Sequence, residues 1–312
     1  EIYFTSGGTE SDNWALKGYL KPGDHVITTN IEHHAILNTL KDLETTGIKV
    51  TYVPVECDGR VNPEKIDAAI TGKTKLITVM AANNEIGTIQ PIREIYRITR
   101  EAGIAFHTDA VQAYGQTNVS AYDCDMLSVS AHKFHGPKGV GFLFVKDWLK
   151  LKPMITGGAQ QNGMRGGTLN VPGIMGMAKA AELAQNRNWY RMVQIRDYAI
   201  RRLMMETDAV LNGSWYGRLA NNINVSFPGF EAETIIAYLE LHGIHVSGGS
   251  ACTADQLEPS HVIRAIGRED ALAKGSIRIT TSRHTTLEEM KYTLDKVDLA
   301  VCLQAAQTCF SN

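Results

Sequence analysis

The chain has 312 residues, 44% hydrophobic and 21% charged, enough for one large or two ordinary domains with a substantial core. A formal net charge of −2 carries no electrostatic footprint for nucleic acid or an anionic membrane, and the longest apolar runs, Leu76 to Ala82 and Val140 to Val145, are too short to span a bilayer. Five cysteines without CxxC spacing, and no signal-peptide pattern, fit free thiols in a reducing compartment such as the cytoplasm.

Strand and helix patterns alternate from the first residues. Strands are predicted over Ile2 to Thr5, His25 to Thr28, Lys49 to Val53, Lys75 to Met80, Ile104 to Asp109, Asp125 to Val129 and Gly141 to Val145. Helices are predicted over Glu10 to Tyr19, His34 to Thr46, Pro63 to Ala69 and Pro91 to Glu101. Such alternation predicts an α/β fold, a mostly parallel sheet covered by helices, with its site at the carboxyl ends of the strands. After Gly173 the pattern changes. Helices over Ile174 to Ala184 and on to Glu206 precede strands at Asn222 to Phe227, Ile244 to Val246 and Ser276 to Thr281, and helices at Glu231 to His242 and Leu287 to Ala305. The expectation is a large domain over 1–188 and a smaller α+β domain over 189–312.

The chemistry-bearing residues fall mainly where strands end. Lys133, in Ser130-Ala131-His132-Lys133, follows one strand, and Asp109 closes another. A lysine that can hold an aldehyde, with an aspartate that keeps a pyridine nitrogen protonated, is what pyridoxal 5'-phosphate (PLP) needs. A surface lysine beside a capping aspartate is the bland alternative. Ser6-Gly7-Gly8-Thr9-Glu10 opens a helix after a strand, so its free N–H groups suit a phosphate or merely make a capped turn. Ser130 and His132 are further candidate phosphate donors. His33, in Glu32-His33-His34, suits ring stacking, proton transfer or capping, and no third ligand has spacing that suggests a metal. Asn84 and Gln112 suit a phenolic oxygen, although asparagine in a turn is common. Cys252 lies in the glycine-rich Ser247-Gly248-Gly249-Ser250-Ala251-Cys252-Thr253, where a thiolate nucleophile is the sharper reading and a structural cysteine the blander one. Arg278 or Arg283 could grip a carboxylate.

SGGTESDN, EHHAILNTL, NNEIGTIQPI, HTDAVQ, SAHKFHGPKGVGFL, MRGGTLNVPGI and SGGSACTADQLEPSHVIRAIG stand in the order and spacing seen in the cysteine desulfurases, which the chain resembles from residue 2 to about 300. The SACT loop followed by LEPSHV resembles the IscS/NifS-like branch. The resemblance implies a type I PLP-dependent transferase fold, like aspartate aminotransferase. It implies that Lys133 carries PLP and Asp109 pairs with its ring nitrogen. His33 would stack on the ring, with Asn84 and Gln112 at the phenolic oxygen. Gly8, Thr9, Ser130 and His132 would hold the phosphate, and Thr168 would reach the phosphate of the partner subunit in a homodimer. Arg283 would bind the substrate carboxylate, and Cys252 would carry sulfur from L-cysteine as a persulfide.

The acceptor would be a protein such as an iron–sulfur scaffold or a thiolation relay. The resemblance also implies a further segment, with an NAATTP-like stretch, ahead of the strand at which this sequence opens, and a longer C-terminal tail. The rivals are another class V PLP enzyme, such as a selenocysteine or cystine lyase or an aminotransferase, and a non-catalytic interaction protein. Cys252 speaks against the first, and Lys133, Asp109, His33 and Cys252 together speak against the second.

Overall fold

The computed structural model describes residues 1–185, 189–248 and 259–310. The chain divides into two compact units, one of Glu1–Val55, Val61–Asn83 and Ile89–Arg187, the other of Glu56–Arg60, Asn84–Thr88 and Asn188–Asn312.

The first unit is built in chain order from β1 (Ile2–Thr5), α1 (Gly8–Tyr19), β2 (His25–Thr29), α2 (His34–Glu44), β3 (Lys49–Val53), α3 (Pro63–Ala68), β4 (Thr74–Thr78), α4 (Ile92–Ala102), β5 (Ala105–Asp109), β6 (Met126–Ser130), β7 (Gly141–Val145) and α5 (Val171–Gln185). Its seven strands form one sheet in the order β1-β7-β6-β5-β4-β2-β3. Neighbours from β3 to β6 are parallel, and β7 runs antiparallel to both β6 and β1. This α/β architecture is the one the alternating pattern predicts.

β2, β5 and β6 are buried at every residue, as central strands of a two-sided sheet must be. α4 shows how the covering helices are specified. Ile95 and Thr99 turn inward, Arg93, Glu94, Arg97 and Arg100 turn out, and Gly103 ends the helix in the left-handed region at φ 67°. The core joins Trp14 and Leu16 of α1, Ile36 and Leu40 of α2, and Val26, Leu76 and Leu143 of the sheet. Burying each such side chain stabilises the fold by about 1.5–3 kcal/mol.

The second unit contains α6 (Trp189–Glu206), β8 (Val210–Leu211), β9 (Asn222–Ser226), α7 (Ala232–Leu241), β10 (Ser247–Gly248), α8 (His261–Ala265), α9 (Asp270–Lys274), β11 (Ser276–Thr280) and α10 (Leu287–Phe310). Its sheet, β10-β11-β9-β8, is antiparallel throughout, and Ile195, Leu203, Ile223, Val225, Ile235, Leu239, Ile277 and Leu294 pack into its core. The strand expected at Ile244 to Val246 begins instead at Ser247. Gly243 turns left-handed at φ 73°, and the Ile244 N–H bonds back to Leu239 O, so these residues close α7 rather than start the sheet.

No helix among the described residues is long and apolar enough to cross a membrane.

Candidate active site

β1 delivers the chain to Gly7, whose φ of 155° and ψ of −171° favour glycine. Gly7 starts α1 without a side-chain cap, and its carbonyl accepts the Ser11 N–H. A Cβ on Gly8 would lie 2.5 Å from Val111 Cγ2, so only glycine lets α1 approach the turn after β5. The same first turn abuts Ser130, whose Oγ lies 3.4 Å from where a Gly7 Cβ would stand. The N–H groups and dipole of this turn favour an anion, and Thr9 is exposed beside them.

Lys133 sits on a tight 3-10 turn, Ala131–Phe134, directly after β6. Ala131 and Phe134 are buried and hold the turn, with the Phe134 ring 4.9 Å from that of Tyr114. His132 and Lys133 point outward from it. His132 Nδ1 lies 2.9 Å from Ser130 Oγ. Desolvation and the ammoniums of Lys133 and Lys138 hold His132 below its ordinary pKa.

Asp109 ends β5, buried, with Oδ1 accepting the Val111 N–H at 2.8 Å. Burial pushes its carboxyl up to about 6, against the Val111 hydrogen bond and the charge of Lys133. Gln112 follows in the turn, half-buried. His33 caps α2, where its Nδ1 accepts the Ala35 N–H at 3.1 Å. The proton of the neutral imidazole therefore sits on Nε2. Its neighbour Glu32 is fully buried, accepting from Thr29 Oγ1 and from the Met80 N–H, and burial pushes it up to about 8.

Thr168 is exposed on the Gly166-Gly167-Thr168 turn. That segment is tied down by Arg165, which grips Glu10 at 2.8 and 3.1 Å, and by Gln161, whose amide pairs with both backbone groups of Phe4 at 2.6 and 2.9 Å.

The first unit thus gathers Gly8, Ser130 and His132 at one end of α1, with Thr9 beside them, and sets Lys133 in electrostatic reach of Asp109. Asn84 and Arg283 belong to the second unit. The Asn84 carbonyl accepts from Arg278 Nη1 at 2.8 Å, while the next carbonyl, of Glu85, takes the side-chain amides of Asn222 and Asn224. Arg283 is exposed, its Nε 3.3 Å from His284 Nε2. Cys252 lies outside the described residues. Sequence reading missed Arg165, Glu10 and the buried groups Asp12, Glu32 and His107. A polar His-Thr-Asp end to an apolar central strand was the one available signal for the last cluster.

The profile of the family described as Aminotransferase class-V matches residues 1–292. The chain is similar to Cysteine desulfurase IscS of Dictyoglomus turgidum, 49% identical over 308 residues that cover 96% of this chain and 78% of that protein. Among solved structures, a NifS-like protein is 38% identical with a TM-score of 0.90, covering 97% of this chain and 83% of that one. SspA in complex with cysteine is 36% identical with a TM-score of 0.80, covering 91% and 82%.

Proposed function

The chain belongs to the class-V aminotransferases, a PLP-dependent enzyme class, and within them to the cysteine desulfurases, and from this premise we propose that it converts L-cysteine to L-alanine and passes the sulfur on as a persulfide of Cys252. The observation that carries the reading is Lys133, on the turn after β6, with the buried carboxyl of Asp109 at the end of the neighbouring parallel strand β5. The residues present fit PLP. An uncapped helix start meets Ser130 and His132, and a buried carboxylate stands ready for a ring nitrogen.

In this reading the first turn of α1, from Gly8 and Thr9, holds the phosphate together with Ser130 and His132. Thr168 reaches the phosphate of a second copy in a homodimer. Asp109 would keep the ring nitrogen protonated, His33 would serve the ring, and Asn84 and Gln112 would serve the phenolic oxygen. When bound, PLP supplies a sink for the charge that develops at the substrate carbon. The Lys133 amine takes the Cα proton, and Arg283 holds the carboxylate. The Cys252 thiolate attacks the substrate sulfur and the Cβ–S bond breaks. The carbon fragment keeps that electron pair, is protonated and leaves as alanine. The acceptor is a protein, an iron–sulfur scaffold or thiolation relay, in a reducing compartment such as the cytoplasm.

The test is direct. Borohydride reduction of the yellow protein followed by peptide mapping should place the cofactor on Lys133, and L-cysteine should yield alanine and persulfide sulfur. Adduct on another lysine, or no alanine, would overturn the reading.

A further inference from the structure

Four titratable side chains lie together inside the first unit: Asp12 on α1, Glu32 before α2, and His107 and Asp109 on β5. None is more than 6% exposed. His107 and Asp109, two apart on a strand, share one face. His107 is the centre of a hydrogen-bond chain. Its Nδ1 meets Thr78 Oγ1 at 2.8 Å, its Nε2 meets Ser128 Oγ at 2.9 Å, and Ser128 bonds the Asp12 carboxyl. Asp12 Oδ1 lies 3.7 Å from His107 Nε2 and has no hydrogen-bond partner.

This chain can run in two senses. With Asp12 ionised, Thr78 donates to Nδ1, Nε2–H donates to Ser128, and Ser128 donates to the carboxylate. With Asp12 neutral, every donor reverses. The Asp12 hydroxyl donates to Ser128, Ser128 donates to Nε2, and Nδ1–H donates to Thr78. Either sense leaves both nitrogens of the imidazole partnered, so the charge on Asp12 is legible in the tautomer of His107.

Three carboxyls lie within electrostatic reach of one another here, since Asp12 feels Asp109 and Glu32, and Glu32 feels Asp109. Three buried carboxylates cannot all be ionised together. Asp109 has the Val111 N–H and the charge of Lys133, and Glu32 has Thr29 and the Met80 N–H. Asp12 has Ser128 and an oxygen with nothing on it. Ionisation of Asp12 is therefore the least compensated of the three.

We infer that Asp12 is carried as a neutral carboxylic acid donating into the Ser128–His107–Thr78 chain, and that Asp12 and His107 are positioning residues that leave Asp109 the ionised group for the cofactor ring nitrogen. A charged Asp12 would raise the proton affinity of Asp109 and cost it that role. Burial pushes Asp12 far above its ordinary range and pushes His107 down to about 3, in keeping with two uncharged groups. The inference rests on Asp109 as the ring-nitrogen partner proposed above.

The test is nitrogen NMR on histidine-labelled full-length chain, before and after PLP is added, since long-range proton–nitrogen couplings separate the two tautomers. His107 should be the Nδ1–H form at pH 7, and Asp12→Asn, whose amide donates as the acid does, should keep it. An Nε2–H form in the wild type, or a switch to Nε2–H in Asp12→Asn, would overturn the inference. Should Asp12→Asn fail to fold, the carboxyl carbon shift of Asp12 in the wild type decides the matter, the acid position supporting it and the carboxylate position overturning it. A chain with Nδ1–H that takes up no PLP at Lys133 would overturn the positioning role through the cofactor reading, not through the state of Asp12.

Discussion

Arg165 and Glu10, far apart in sequence, are joined by two parallel hydrogen bonds, Nε to Oε1 at 2.8 Å and Nη2 to Oε2 at 3.1 Å. Glu10 lies in the first turn of α1 and also accepts the Ser6 N–H at 2.7 Å. Burial would raise its pKa, but the bonds from Arg165 and Ser6 more than offset this and hold it below its ordinary value. The pair therefore ties the segment bearing Thr168 to the turn that we propose binds phosphate.

Arg165→Lys should keep the charge and lose the fork. We expect a loss of about 1–3 kcal/mol in urea unfolding, as for a charged hydrogen-bonded pair broken on one side, and faster loss of PLP on dialysis. Arg93→Lys serves as the control, since Arg93 pairs with Asp123 at 3.4 Å on the surface. Equal stability and PLP retention in both variants would remove the clasp from the account.

Gly8→Ala puts a methyl group 2.5 Å from Val111 Cγ2. Overpacking of this kind costs about 1–3 kcal/mol. Because α1 must shift away from Val111 and Ser130, PLP affinity should fall by about tenfold or more, equivalent to about 1.4 kcal/mol. Gly72→Ala, where a Cβ meets nothing within 4 Å, should leave stability unchanged or slightly raised. Thermal melts and PLP titration of the two variants check the contrast, and similar melting of both would refute it.

The sheet was readable because β2, β4 and β7 are short runs of apolar and β-branched residues bounded by turn residues. The turn before α1 and the Lys133 turn were readable because their glycines and small residues cluster at strand ends. The placement of Asp12 was not readable. In Glu10-Ser11-Asp12-Asn13 it resembles an ordinary polar helix start, yet it turns into the sheet beside His107. The Arg165–Glu10 pair spans too much chain for any spacing rule. The strand expected at Ile244 failed because a helix cap and a strand start compete for the same residues, and the Gly243 turn favoured the cap.

Cys252→Ala separates the proposed reaction from those of other class V enzymes. The variant should still show a change in the PLP spectrum on adding L-cysteine, because the proposed ring and phosphate contacts do not involve Cys252. It should form no persulfide, and its alanine production should fall at least about 100-fold, a loss typical of removing a nucleophile. Wild-type alanine formation by this variant would favour a lyase that needs no thiol.

Glu32 gives a pH-dependence that can be isolated. Its folded pKa of about 8 exceeds its ordinary 4.5, because burial outweighs the bonds from Thr29 and Met80. A carboxyl raised in this way binds more protons when folded, so stability falls as pH climbs from 4.5 towards 8. Asp109 acts in the same sense, but only between 3.8 and about 6. His107, pushed down to about 3 by burial, acts oppositely, and its contribution levels off about one pH unit above 6.5. Between pH 6.5 and 7.5 the histidines and Asp109 act alike in the wild type and in a Glu32 variant, so the difference between the two curves isolates Glu32. Glu32→Gln keeps a carbonyl oxygen for the Met80 N–H and removes one titration. Its stability curve, measured by urea unfolding without PLP, should therefore be flatter than the wild type by about 1.4 kcal/mol per pH unit in that window. Asp12→Asn should flatten the curve in the same sense, because burial raises the Asp12 pKa as well. Parallel curves for wild type and Glu32→Gln would mean that Glu32 is already ionised at pH 6.5 and that the buried carboxyls share their charge differently.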